Sequence, residues 1–436
     1  MAEVRAFRAF KYDLAKTGAL GDLIAPPYDV ISPKMQQELY DRNRYNVIRL
    51  DLNKVEPEDN DNNNRYTRAA GFLRDWLAQD IIIQDSARAL YVYHQEFEVE
   101  GQTFNRKGFL TRVRLEKFGE GKIYPHEQTM SGPKEDRRRL FYATGMNLSP
   151  IFGLFPDEGN VIQNALEKAI LNRPPLEATD HLGVVSRLWT VTDEQVVSEV
   201  CGLFSPKPIF IADGHHRYET SWNYLQEKRE AGEVTDDEAP PNFTLMMLVG
   251  MSDPGLQILP THRLVSGLPE VTSQQLQELL APHFDLQTVG QGDQAAREAW
   301  EMIEMDGGQS IMGFGTVSDN TWISARFKNP DMMQELTPDQ SDAWQELGVS
   351  ILHKLVLEKL LAEKFSVRPQ CKYVHLVGEV NEAMAAQQCQ LAVLIPPASM
   401  QHVQDIASNL EKMPPKSTYF YPKLLTGLVF NSLKTS

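Results

Sequence analysis

The sequence predicts a mixed α/β or α+β protein, and three observations carry the prediction. Helical stripes alternate with short strand-like runs along all 436 residues, a pattern that packs helices against sheets. Hydrophobic residues make up 42% and charged residues 23%, ordinary globular proportions that allow a large core. No internal repeat is seen, so a solenoid or propeller is set aside. A chain of this length usually divides into two or three packed units. We expect an N-terminal α/β region over 1–185, a core segment over 186–265 and a C-terminal α/β region over 266–436 that can complete the same core.

Near the N-terminus, Pro26-Pro27 excludes helix and reads as a rigid turn. Ser32-Pro33 then caps a helix starting near Lys34. Asn46-Val47-Ile48-Arg49-Leu50 alternates like a strand, and the polar run Glu56 to Asn64 reads as a solvated loop. Ala69, Phe72, Leu73, Trp76 and Leu77 form one helical stripe across Arg65 to Ala78. Ala89 to Tyr93 and Gly108 to Leu115 read as strands flanking a turn at Glu100-Gly101.

Further along, Leu188 to Val191 is strand-like, and a helix starts from Asp193. The apolar run Pro208 to Ala212 is a strand, Tyr218 to Glu230 a helix, and Leu245 to Val249 a buried strand. Glu233 to Pro241 reads as an exposed loop. In the last stretch, Thr272 to Leu280 and Ala295 to Met305 are helical, while Phe284 to Val289, Ser310 to Gly315 and Thr321 to Phe327 are strands. An amphipathic helix is expected over Gly348 to Leu361, and the strand Ala392 to Ile395 stops at Pro396-Pro397.

The formal net charge of −16 argues against a nucleic-acid partner, because phosphate backbones select basic faces. Cys201, Cys371 and Cys389 are scattered without a CxxC pair, which argues against a disulfide framework and against a structural zinc site and fits a reducing compartment. The first twelve residues carry Arg5, Arg8 and Lys11 without a continuous apolar run, so no signal peptide is expected. No stretch approaches the roughly 20 apolar residues that span a bilayer. The expected location is cytoplasmic, with no membrane partner.

The chemistry is expected at Asp213-Gly214-His215-His216-Arg217, a tight turn between a buried strand and a helix. A helix N-terminus presents unpaired N–H groups and partial positive charge, which suits an anion. Gly214 permits a positive φ, and Arg217 supplies a planar fork for phosphate. His215 and His216 add donors that titrate near neutrality. Asp213 can accept a proton from a hydroxyl or hold a divalent metal. The plainer alternative is a structural turn with a capping Asp and a solvated His pair.

Gly214-His215-His216-Arg217-Tyr218-Glu219 resembles the phosphate motif of the ParB/sulfiredoxin superfamily, whose free-serine kinases carry a similar Asp-Gly-His-His-Arg string. That resemblance implies a nucleotide-binding core in which His216 and Arg217 hold phosphates and Asp213 is the base on an acceptor hydroxyl. Sulfiredoxins place a cysteine where this chain has His215, so sulfinic-acid reduction is not expected. Over nearly its whole length the chain is similar to domain-of-unknown-function family 1015. Ala25-Pro26-Pro27-Tyr28-Asp29-Val30-Ile31, Tyr124-Pro125-His126-Glu127, Gly132-Pro133-Lys134, Asn147 to Phe152, Leu259-Pro260-Thr261-His262-Arg263 and Met413 to Phe420 carry that likeness together with the Asp213 turn.

Four supporting groups join the expectation. Glu127 is a candidate Mg²⁺ ligand or base, and Asp213 a candidate second ligand. Lys134 and Arg137 are candidate phosphate-neutralising cations, with His126, His262 and Arg263 as further donors. Lys416-Ser417-Thr418 lacks the glycines of a P-loop. Tyr28 and Asp29 follow the Pro-Pro turn and either reach a ligand or simply lead into the next helix. The leading expectation is an enzyme, an ATP- or ADP-dependent phosphotransferase acting on a small hydroxyl metabolite, with free serine as one candidate. The alternatives are a phosphatase of a phosphometabolite such as phosphoserine, and a non-catalytic nucleotide-binding regulator.

Overall fold

Long antiparallel pairing organises the chain before residue 257. In this computed structural model, which describes residues 2–127 and 131–434, the chain forms two units. The first comprises Met1–Pro125, Thr129–Gln257 and Pro422–Ser436, the second His126–Gln128 and Ile258–Tyr421. Gln128 and Thr129 of the polar string after Tyr124 lie outside the described residues.

The first unit is built on nine strands: β1 (Val4–Arg5), β2 (Leu90–Val99), β3 (Gln102–Arg114), β4 (Ile123–Pro125), β5 (Ile151–Phe155), β6 (Leu176–Thr179), β7 (Val185–Val191), β8 (Ile209–Asp213) and β9 (Phe243–Gly250). Their order is β4-β8-β5-β9-β3-β2-β7-β6, with β1 added to β3. The pairs β8–β4 and β9–β5 are parallel and the other pairs antiparallel. The sheet is therefore mixed, as expected. It draws strands from both 1–185 and 186–265, so the two segments divided at 185 in the sequence reading share one sheet.

The tight hairpin β2–β3 turns at Glu100-Gly101, both at positive φ (50° and 76°), as turn chemistry requires. Phe109, Phe155 and Phe204 pack together with ring centroids 4.8–6.3 Å apart. All three are 0–1% exposed, and each such side chain contributes about 1.5–3 kcal/mol of burial. Ser32 Oγ accepts from Met35 N at the start of Pro33–Arg42, and Asn64 caps Arg65–Ala78 with a reciprocal capping box.

One expectation fails here. Asn46 to Leu50 is not a strand, because Ile48–Asp51 forms a helical turn. Asn46 accepts from Ile48 N at 2.9 Å and donates to Asp22 O and Ile24 O, which starts the turn. Val47, Ile48 and Leu50 are all 0% exposed. With every apolar residue buried, alternation of period two says nothing about backbone geometry.

The second unit carries a six-stranded antiparallel sheet made of β10 (His262–Ser266), β11 (Phe284–Gln291), β12 (Ile311–Thr316), β13 (Thr321–Phe327), β14 (Gln370–Val374) and β15 (Leu391–Leu394). The order is β11-β13-β12-β15-β10-β14. Ala295, Ala299 and Ile303 from the helix Gly292–Asp306 pack into its core with Trp322 and Leu394. The expected helix over Gly348 to Leu361 is present, but its Leu352–Leu361 portion is π-helical. No helix among the described residues is long and apolar enough to cross a membrane.

Candidate functional site

Strand β8 delivers the site. Ile209 to Ala212 are buried, and the strand is paired on both sides, to β4 and to β5. Its register against β5 shifts between Ile211 and Asp213, so the strand ends at the carboxylate. Gly214 turns the chain at φ 93°, ψ 27°, and the helix His215–Glu230 begins at once. A Cβ at Gly214 would meet the Arg217 guanidinium at 3.0 Å. Glycine is thus required twice, for the backbone angle and for the room in which Arg217 folds back beneath the turn.

Asp213 is held by two cations. Lys423 Nζ donates to its Oδ1 at 2.7 Å, and Arg217 NH2 donates to its Oδ2 at 2.7 Å. Burial raises its carboxyl pKa, but Lys423, Arg217 and His215 lower it by more, so Asp213 sits well below the usual carboxylate range. Arg217 also donates through NH1 to Pro150 O, and its side chain is 6% exposed. His215 is buried, whereas Asp213, Gly214 and His216 are half-buried.

Lys423 was missed from the sequence, and no local signal marks it. Its backbone is fixed by two buried side chains of the sheet. Gln95 Nε2 donates to Lys423 O at 3.2 Å, and Arg106 NH2 donates to Pro422 O at 2.5 Å. Arg106 also donates to Gln95 Oε1 and lies 4.7 Å from the Phe152 ring centroid. Burial drops Arg106 to about 10, with Tyr93, Asp253 and Asp213 opposing that fall.

The other expected residues of this unit are already engaged. Lys134 forms an ion pair with Glu219. Arg137 is 2% exposed and donates to Asp51 Oδ1 at 2.8 Å and Asp51 O at 3.0 Å. It also pairs with Asp136 and lies 4.0 Å from the Tyr28 ring centroid. Tyr28 is pushed up to about 12 by burial, with Arg137 and Arg217 opposing and Asp29 and Asp213 adding. Tyr28 therefore feels the charges of the Asp213 turn.

His126, Glu127, His262 and Arg263 belong to the second unit. His126 is 0% exposed and its Nε2 meets Thr418 Oγ1 at 2.8 Å. Glu127 forms a β-bridge with Met413. Arg263, 1% exposed, donates to Thr261 O and Lys416 O and lies over the Tyr373 ring. His262 is 0% exposed, and its Nδ1 accepts from Ile395 N at 3.3 Å. Among the described residues no group of three or more His, Cys, Asp or Glu is arranged to hold a metal ion. Each Asp213 oxygen accepts one hydrogen bond from a cation, and an ionised carboxylate keeps a further lone pair on each oxygen.

Burial lowers both His262 and His353 to about 3, with Arg263 adding to the effect. A histidine kept neutral in the native state destabilises it wherever the unfolded chain binds the proton. Stability is therefore full above the ordinary value of 6.5 and falls as pH drops toward 3. The expected loss is about 1.4 kcal/mol per pH unit for each group. Denaturant midpoints at pH 7 and pH 5 should differ, and His262→Asn with His353→Gln should flatten the difference.

The fold and turn define a mixed α/β protein with a charged strand–turn–helix site. The chain belongs to the family described as "Protein of unknown function (DUF1015)", whose family model matches residues 4–350. No curated protein matches the chain. Among solved structures, a free serine kinase variant in complex with AMP is similar at 12% identity and a TM-score of 0.35, covering 71% of this chain and 89% of its own. A conserved hypothetical protein from Pyrococcus furiosus is similar at 12% identity and a TM-score of 0.33, covering 70% and 89%. SbnI with a C-terminal truncation, from Staphylococcus aureus, is similar at 10% identity and a TM-score of 0.34, covering 74% and 87%.

Proposed function

We propose that this protein is a nucleotide-dependent phosphotransferase acting on a small hydroxyl metabolite. One observation carries the reading. Asp213, half-buried and kept ionised between Lys423 and Arg217, stands at the N-terminus of the sixteen-residue helix His215–Glu230. An ionised carboxylate can orient an acceptor hydroxyl and take its proton. Phosphoryl transfer demands little basicity from such a group, because bond formation to the attacking oxygen is slight in a loose transition state. The first-turn N–H groups, His216 and Lys423 suit phosphate oxygens. Bound ATP or ADP would supply the phosphoryl group. Serine is the first acceptor to test, since the Asp213 turn resembles the string of free-serine kinases.

The test is a thermal-shift series with ATP, ADP, serine and phosphoserine, each with and without Mg²⁺. A ligand that binds the native state alone raises the midpoint by an amount that grows with its concentration over Kd. A nucleotide should raise it, and His216→Ala, altered at a half-buried position, should lose that rise while melting normally without ligand. A rise with phosphoserine and none with any nucleotide would transfer the site to a phosphatase.

A further inference from the structure

Tyr28 follows the Pro26-Pro27 turn and is not used by the phosphotransfer chemistry. Its ring lies against the Arg137 guanidinium, 4.0 Å from the ring centroid, and the residue is half-buried. Among the described residues its hydroxyl has no hydrogen-bond partner. Three buried tyrosines of the same unit spend theirs. Tyr12 donates to Tyr45 O at 2.9 Å, Tyr91 to Asp85 Oδ2 at 2.7 Å and Tyr218 to Glu116 O at 2.8 Å. A phenol drawn out of water usually finds such a partner, so an unspent one among charged groups is a donor open to a ligand.

The backbone brings Tyr28 toward Lys423. Ala25 and Thr426 form an antiparallel bridge, with Ala25 N donating to Thr426 O at 3.1 Å and Thr426 N to Ala25 O at 2.8 Å. Both residues are buried, and Asn46 Nδ2 donates to Ile24 O at 3.0 Å, which fixes the chain just before the bridge. In an antiparallel pair, residues after the bridge on one strand run beside residues before it on the other. Tyr28 and Lys423, each three positions along, therefore leave the bridge on the same side. Pro27 keeps this exit extended at φ −65°, ψ 150°. Lys423 then ends on Asp213 Oδ1 at 2.7 Å.

The electrostatics agree with that placement. Burial pushes the Tyr28 phenol up to about 12, with Arg137 and Arg217 opposing and Asp29 and Asp213 adding. Two of those four charges are the pair that forms the Asp213 turn. The phenol keeps its proton at neutral pH and offers an O–H donor. Ionised phosphate oxygens accept and do not donate, so a fixed O–H complements them. Arg137 serves the ring rather than a phosphate, because its guanidinium is spent on Asp51 and Asp136.

We infer that Tyr28 is a binding residue of the Asp213 turn, its hydroxyl donating to a phosphate oxygen of the bound nucleotide. The inference rests on the phosphotransferase reading and adds to it a contact from the Pro-Pro segment.

Calorimetric titration of the full chain with ATP and with inorganic triphosphate, for the unaltered protein and for Tyr28→Phe, tests it. The variant keeps the ring on Arg137 and loses no internal hydrogen bond, so its melting temperature without ligand should be unchanged. Its affinity for ATP should fall about 10- to 100-fold, the size of a hydrogen bond to a charged group. Inorganic triphosphate should lose the same factor. An unchanged ATP affinity in the variant, with ATP bound normally by the unaltered protein, would overturn this contact alone. A loss with ATP and none with triphosphate would put the hydroxyl on the nucleoside and overturn it too. A lower melting temperature without ligand would make Tyr28 a structural residue. No ATP binding by the unaltered protein would remove the phosphotransferase reading and the contact together.

Discussion

Asp213→Asn should reduce nucleotide-dependent phosphoryl transfer by about 10²–10⁴-fold, the range over which a positioned proton acceptor contributes. Nucleotide affinity should hold or improve. The substitution removes a negative charge that opposes phosphate and that Lys423 and Arg217 now neutralise at 2.7 Å each. The variant should melt somewhat lower, because both cations lose their counter-charge. Single-turnover kinetics beside equilibrium nucleotide titration separate the effects. If Asp213 merely braces the turn, nucleotide binding and stability fall together and the chemical step, measured at saturating nucleotide, is unchanged.

Arg137→Met should destabilise the first unit by about 3–5 kcal/mol, the loss seen when one member of a buried ion pair is removed. Arg137 holds Asp51, which is 3% exposed. Burial already raises the Asp51 carboxyl above its ordinary value, with Arg137 and Arg217 the main opposing charges. Without the guanidinium, Asp51 must take up a proton or remain as an unpaired buried charge. Adding Asp51→Asn should return part of the loss, and a double-mutant cycle on denaturant midpoints measures the coupling. A variant that keeps full stability but loses nucleotide binding would instead give Arg137 the phosphate-neutralising role expected from its sequence.

These two residues show how differently the sequence spoke about neighbours in one site. The Asp213 turn was legible because its signals are local. A buried apolar run, a glycine that takes φ 93° and a polar helix start lie within a dozen residues, and each has a short-range physical cause. Arg137 was legible as a cation near a helix start, but not as a buried one. The sequence shows a charge without showing that Asp51, 86 positions away, closes over it.

By itself the sequence determined the alternation of helices and strands, the capped start at Ser32 and the strand–turn–helix at Asp213. Periodicity and capping act over one or two turns of backbone, and the residues concerned write them directly. Tertiary structure decided what the charges do. It brought Lys423 onto Asp213 across 210 positions, with Gln95 and Arg106 holding the returning chain. It converted Asn46 to Leu50 from alternation into a buried helical turn. In each case burial and long-range pairing set the outcome, and both depend on which distant segments meet when the sheet closes.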